Sequence, residues 1–387
     1  MRKNKRVFAI YLPQFHPFPE NDSFWGRGFT EWRNVASAKP QFKGHPQPYI
    51  PSELGFYDLR LPQILDQQVE LASEHGIDGF MFYHYWFQGK VIMDTPLHAY
   101  KKLENKLPYF FCWANENWTR RWDGHNDDVL LEQKYSRSDD EQHFQYLLPF
   151  FDDKDYLRIN GCPVISLYRP SEVPDIHQWA MNMKRMAEDA GLPGIYLINV
   201  KNLGNNETAK YSTMGFDASL IFQPSWTGEH PGALKASFAD KVGKLLFLLK
   251  LKKTIPVVYR HTLIDYPRHV EMSISKKPVE ARSYPSVCPM WDNSARRKNS
   301  GATIFINSNP GIFKKWLFNV YHSFQPFSAE ENLIFINAWN EWAEGNFLEP
   351  SLQWQRQYLE VVKSVVQSEG ITKSDEHLAD TVKSFEF

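Results

Sequence analysis

The chain has 387 residues, 42% of them apolar, and carries 44 Lys+Arg against 45 Asp+Glu for a net charge of −1. So even a balance argues against nucleic acid as the main partner, while the apolar share supports a sizeable buried core. Three scattered cysteines, Cys112, Cys162 and Cys288, suit neither a disulfide framework nor a zinc site, and nothing in the composition calls for a metal or other cofactor.

Short apolar runs alternate with helix-like patterns along the chain. Arg6 to Leu12 predicts the first strand; it follows a basic start and is stopped by Pro13, too short for a signal-peptide core. Leu61 to His75 predicts a helix, with Pro62 at its start and Gly76 past its end. Ile77 to Trp86 and Pro108 to Ala114 are the second and third strands. A helix near Ser138 to Phe151 precedes the fourth, Pro163 to Tyr168. Ile176 to Ala190 is helical and Ile195 to Val200 is the fifth strand. Phe216 to Gln223 is the sixth. Ile255 to Arg260 and Val287 to Trp291 compete for the seventh. Gly311 to Phe324 is helical, Leu333 to Trp339 is the eighth strand, and Leu352 to Gln367 is a closing helix. The polar stretch 372–387 reads as a tail.

These strands are continuously apolar rather than alternating, as strands buried on both faces are. About eight β/α units predict an α/β fold, a (β/α)8 TIM barrel over 1–371 as a single domain with long βα loops. An open doubly wound sheet is the competing arrangement, but the first connection lacks G-x-G-x-x-G and no Walker A sequence occurs. No apolar run approaches the ~18 residues of a spanning helix, so a reduced, cytoplasmic location is the default.

Barrel sites lie at the C-terminal ends of the strands. Several strands here end in polar and aromatic clusters: Tyr11, Gln14 and His16; Tyr83, His84 and Trp86; Trp113, Asn115, Glu116 and Trp118; Gln223 and Trp226; Trp339, Asn340, Glu341, Trp342 and Glu344. Planar hydrogen-bonding groups beside aromatic rings suit a sugar, whose hydroxyls need partners and whose C–H face needs an apolar platform. Glycoside cleavage needs one carboxylic acid to protonate the leaving oxygen and a second carboxylate near the sugar carbon. Glu341 at the last strand's end and Glu344 in the next turn are the candidate catalytic pair, with Gly345 allowing a sharp bend. Mutual repulsion, or burial among tryptophans, would hold one proton near neutral pH. Glu116, another Asn-Glu at a strand end, is the alternative acid. His16, His84 and Glu116 as a metal site is a weaker reading, because no ligand spacing supports it. Asp152-Asp153-Lys154-Asp155 resembles the acidic metal motif of nucleotide-sugar transferases, but it follows a helix and reads as a solvated turn.

Tyr11-Leu12-Pro13-Gln14-Phe15-His16, Gly28-Phe29-Thr30-Glu31-Trp32, Leu54-Gly55-Phe56-Tyr57-Asp58, Trp113-Ala114-Asn115-Glu116 and Asn337-Ala338-Trp339-Asn340-Glu341-Trp342 resemble the WbsX-like family. Its members are named as glycosyltransferases of bacterial surface-polysaccharide assembly. That family resembles in turn the endo-α-mannosidases of glycoside hydrolase family 99, which are (β/α)8 barrels with the motif Asn-Glu-Trp-His-Glu-Gly. Asn340, Glu341, Trp342, Glu344 and Gly345 match that motif, and Ala343 replaces its histidine. The resemblance implies Glu344 as general acid/base and Glu341 as the group assisting attack by the sugar's own 2-hydroxyl, with retention. Mannose specificity is not carried across Ala343. The expected partner is an oligo- or polysaccharide, in hydrolysis or in transfer during O-antigen, capsule or lipopolysaccharide synthesis. A non-catalytic glycan-binding barrel is the rival class.

Lys241 to Lys253 interleaves lysines with leucines. An ordinary barrel helix with lysines on its wet side is the favoured reading; an interfacial helix touching inner-leaflet lipid is the alternative.

Overall fold

The computed structural model describes residues 4–119, 129–201, 211–225, 232–275, 281–298 and 301–368. Nine parallel strands carry the fold: β1 Arg6–Tyr11, β2 Gly79–Phe87, β3 Tyr109–Trp113, β4 Cys162–Leu167, β5 Tyr196–Lys201, β6 Ala218–Ile221, β7 Ser283–Tyr284, β8 Ser286–Val287 and β9 Leu333–Ile336. They hydrogen-bond in the order β7-β6-β5-β4-β3-β2-β1-β9-β8. Only Pro285 separates β7 from β8. It has no N–H to give, and its carbonyl accepts from Phe335 N at 3.0 Å. Ser283 to Val287 thus acts as one stave. Its first half pairs with β6 and its second with β9, which nearly closes the barrel.

Neither candidate for the seventh strand was placed correctly. Ile255 to Arg260 contains a single 3-10 turn, Val257–Tyr259, and Val287 ends the true stave rather than starting it. The stave is short, polar and broken by proline, so no apolar run announces it. The other seven expected strands fall within a few residues of those observed. The closing helix begins at Gln357 instead of Leu352, because Ser351 is drawn into bridges with Pro51 and Gln355.

The barrel interior is defined by rings that meet across non-neighbouring strands. Phe8 on β1 and Phe110 on β3 lie 5.9 Å apart, and Phe335 on β9 lies 6.1 Å from Phe110. A Cβ at Gly79 would collide with the Phe8 ring, so this position needs glycine. The pairing register carries the inward direction from strand to strand. Phe110 aligns with Met81, Cys112 with Tyr83 and with Ser166, and Leu220 with Tyr284. Side chains alternate along a strand, so Phe80, Phe82, His84 and Trp86 face outward into the helix layer.

Between β6 and β7, and again between β8 and β9, the chain leaves the barrel. Thr262–Asp265 and Thr303–Ile306 pair there as a small parallel sheet beside the rim. The helix Phe238–Leu248 lies in the first excursion, and only Gly243 in it is buried. Its leucines are exposed together with its lysines, which overturns the favoured reading of an ordinary barrel helix. Among the described residues no helix is long and apolar enough to cross a membrane.

Candidate active site

A cleft of about 560 Å³ opens at the C-terminal ends of the strands. Its walls follow from the alternation just described. Continuing the inward series past each strand gives Leu12 after β1, Tyr83 and Tyr85 at the end of β2, Ala114 and Glu116 after β3, Tyr168 after β4, Phe222 after β6 and Asn337 after β9. All of them line the cleft.

Of the sequence-selected residues, Gln14, Tyr83, Glu116, Trp118, Glu341 and Glu344 line it. The outward series lies behind the wall. Tyr11 donates to Gln68 at 2.7 Å. His84 Nε2 meets His143 Nε2 at 2.9 Å, and burial lowers its pKa to about 3. Trp86 donates to Asp139 at 3.0 Å and stacks on His143, and Trp113 packs edge-on against the same imidazole. Trp339 packs on Phe80. Asn115 accepts from Arg169 N at 2.7 Å and donates to Arg169 O at 2.8 Å, fixing the β4 loop. Asn340 makes the same kind of two-way clamp on the backbone of Leu12. Gln223 takes the Ser225 amide at 2.9 Å. Trp342 donates to Glu349 at 2.6 Å and stacks on Phe347. His16 is buried beside Phe18, and burial lowers its pKa to about 4. Trp226 lies outside the described residues. His84 faces the helix layer while Glu116 faces the cleft, so the metal reading of His16, His84 and Glu116 does not assemble.

In the acidic turn Asp152 to Asp155, Asp152 and Lys154 are exposed as a solvated turn requires, and Asp153 is the exception. Asp153 is nearly buried, accepts from Tyr109 OH at 2.9 Å and pairs with Lys106 at 3.4 Å, at the opposite end of β3 from the cleft.

The centre of the cleft is a residue the sequence did not single out. Arg296 is buried and reaches three carboxylates: Nε to Glu31 at 2.9 Å, Nη2 to Glu341 at 2.8 Å and Nη1 to Glu344 at 2.7 Å. Local chain geometry delivers each partner. Asp292 caps the turn Asn293–Ala295, from which Arg296 projects, and is itself held by His45 at 2.8 Å and Gln47 at 2.7 Å. Glu341 ends a short strand paired with Asn346–Phe347, and Glu344 sits in the 3-10 turn Trp342–Glu344. Gly345 closes that turn with φ +53°, and a Cβ there would approach Tyr49 and Asp292 to 2.9 Å. Burial raises the pKa of Glu341 strongly. Arg296 opposes the shift, and the charges of Glu344 and Glu31 add to it. Glu344 is raised as well, by burial first. Both carboxylates that face the cleft are thus pushed toward their protonated forms, against the pull of the Arg296 charge. Glu344 keeps 23% of its side chain exposed against 8% for Glu341, so it is the more open of the pair.

Two further features complete the cleft. Glu116 and Arg169 form an ion pair at 3.1 Å on its wall, and the Arg169 guanidinium lies 4.8 Å from the Tyr168 ring centre. Among the described residues, the buried Gln14 amide finds no hydrogen-bond partner for either of its polar atoms. Beneath the pair, Glu349 receives Trp342, Gln68 and Tyr57, and burial pushes its pKa to about 7.

The near-closed parallel barrel is similar in fold to the glycoside hydrolase 99 barrels. The endo-α-mannosidase from Bacteroides thetaiotaomicron superposes with a TM-score of 0.52 at 14% identity, covering 95% of this chain and 98% of that one. A glycoside hydrolase-like protein superposes at 0.54 and 14% identity, covering 94% of each. The chain belongs to the family described as glycosyltransferase WbsX, whose model matches residues 7–362. Uncharacterized protein WxcX from two strains of Xanthomonas campestris pv. campestris is 36% identical over 365 residues, 93% of this chain. The chain spans about half the length of these curated relatives, 49%.

Proposed function

We propose that this chain is a retaining carbohydrate-active enzyme acting on a glycosidic bond of a bacterial surface polysaccharide or its precursor. The observation that carries the reading is the Arg296 cluster. It holds two cleft-facing carboxylates on one guanidinium, with burial raising the pKa of each, which supports a pair in which one member carries the proton that acid/base glycoside chemistry requires.

Glu341 takes the proton of the sugar 2-hydroxyl as that oxygen attacks the anomeric carbon. Glu344 gives its proton to the leaving oxygen as the glycosidic bond breaks. The 1,2-anhydro sugar then opens: Glu344 removes a proton from the incoming hydroxyl, and Glu341 returns one to O2. Two displacements give net retention. Water as the incoming group makes the enzyme a hydrolase, and a sugar hydroxyl makes it a transferase. The family description favours transfer, and the barrel and carboxylate pair favour hydrolase chemistry. Burial raises the pKa of both groups in the free enzyme. Glu116 with Arg169, and Gln14, offer donors and acceptors to sugar hydroxyls, while Tyr83, Tyr85 and Trp118 offer rings.

The test is incubation of wild type and Glu344→Gln with polysaccharide and its lipid-linked precursors, products being read by mass spectrometry and anomeric NMR. Wild type should give product of retained configuration. The variant should lose about 10²–10⁴-fold in turnover and keep glycan binding. Unchanged turnover would sink the acid assignment. Glycan binding without turnover in wild type would favour a non-catalytic barrel, and loss confined to Glu116→Gln would move the acid to Glu116.

A further inference from the structure

The helix Phe238–Leu248 inverts the usual amphipathic arrangement. Its buried side is Gly243, where a Cβ would come within 2.9 Å of Pro256, with Phe247 and Asp240 half-buried on either side of it. Phe238, Val242, Leu245 and Leu249 follow at i, i+4, i+7 and i+11, so they form one stripe on the opposite side. That stripe faces away from the protein: Phe238 is 81% exposed, Leu245 55%, Leu249 58%, and Leu251 just beyond it 74%. Lys241, Lys244, Lys250, Lys252 and Lys253 flank it, all exposed. The one acid in the helix, Asp240, is engaged by Ser237 in a capping box. A capping box and a tight glycine contact fix this helix in place, so the exposed stripe is a held feature and not a frayed end.

We propose that this helix docks the protein onto a membrane surface that carries anionic lipid. An exposed leucine and phenylalanine stripe suits the acyl boundary, and a lysine border suits phosphate headgroups. A protein partner would need an apolar groove ringed with acid, and a second copy would set five lysines against five lysines. The segment follows β6, whose continuation through Phe222 and Pro224 lines the cleft, so the docking element grows from the same rim.

The test is flotation of the full chain with vesicles of phosphatidylcholine alone and with added phosphatidylglycerol. Binding should require the anionic lipid and should fall with salt. Leu245→Ser with Leu249→Ser, and separately Lys250→Glu with Lys252→Glu and Lys253→Glu, should each weaken binding about tenfold or more. Their thermal melting should stay close to wild type, since all five side chains are exposed. No flotation of wild type, or binding indifferent to both variants, overturns the proposal. A dimer abolished by the leucine variant would assign the stripe to a second copy. Flotation that appears only after truncation at residue 368 would assign it to the chain's own end. Either result overturns the proposal.

Discussion

Arg296 donates to Glu344 across 2.7 Å and joins the loop after β8 to the turn after β9 on the wall of the cleft. The same guanidinium holds the buried Glu31 and Glu341, so one side chain is the shared partner of three carboxyl groups.

Arg296→Met should therefore cost about 3–5 kcal/mol of stability, because it strands buried carboxylates without a partner. Denaturant unfolding measures this. The loss should shrink toward acid pH, where the stranded groups take up protons. Arg296→Lys keeps the charge but cannot serve three partners in one plane, so turnover should fall well before stability does.

Glu349 provides a pH test that does not involve substrate. Its pKa is about 7 in the fold against an ordinary 4.5. The folded state thus binds this proton more tightly than the unfolded state. The stabilisation is complete below pH 4.5 and is lost as the pH rises through about 7. Glu349→Gln should flatten the stability–pH curve in that window by up to ~3 kcal/mol. An equally steep curve in the variant would refute the assignment.

Gln14→Ala should leave the melting temperature unchanged or slightly raised, since the amide has no partner to lose. If that amide binds sugar hydroxyls, KM should rise about tenfold with little change in kcat. Calorimetric unfolding and steady-state kinetics on one preparation separate the two effects.

Gly345→Ala places a side chain at φ +53° and within 2.9 Å of Tyr49 and Asp292. It should cost about 2–4 kcal/mol from the left-handed backbone and the overlap together. Because Glu344 precedes this position, kcat should fall further than a matched destabilisation elsewhere, such as Phe313→Leu in the core. Equal kcat in the two variants would show that the turn does not position the acid.

The sequence by itself determined the barrel, the rim and the carboxylate pair. Buried parallel strands must be apolar on both faces, so Arg6 to Tyr11, Gly79 to Phe87 and Leu333 to Ile336 announce themselves locally. The seventh stave does not, because Ser283 to Val287 takes its place from the gap its neighbours leave. Choosing between Tyr83 and His84, or Tyr85 and Trp86, required knowing which parity faces inward. That is set by packing across the barrel, where Phe8 meets Phe110, and no local pattern states it in a strand apolar on both sides. Glu341 and Glu344 were legible from their place at the end of the last apolar strand and from the Asn-Glu-Trp-x-Glu-Gly motif they belong to. Arg296 was not, since its partners lie 45 and 265 positions away in the chain. Only the tertiary structure could bring a lone arginine to three acids, because that contact depends on how three separate rim loops pack together.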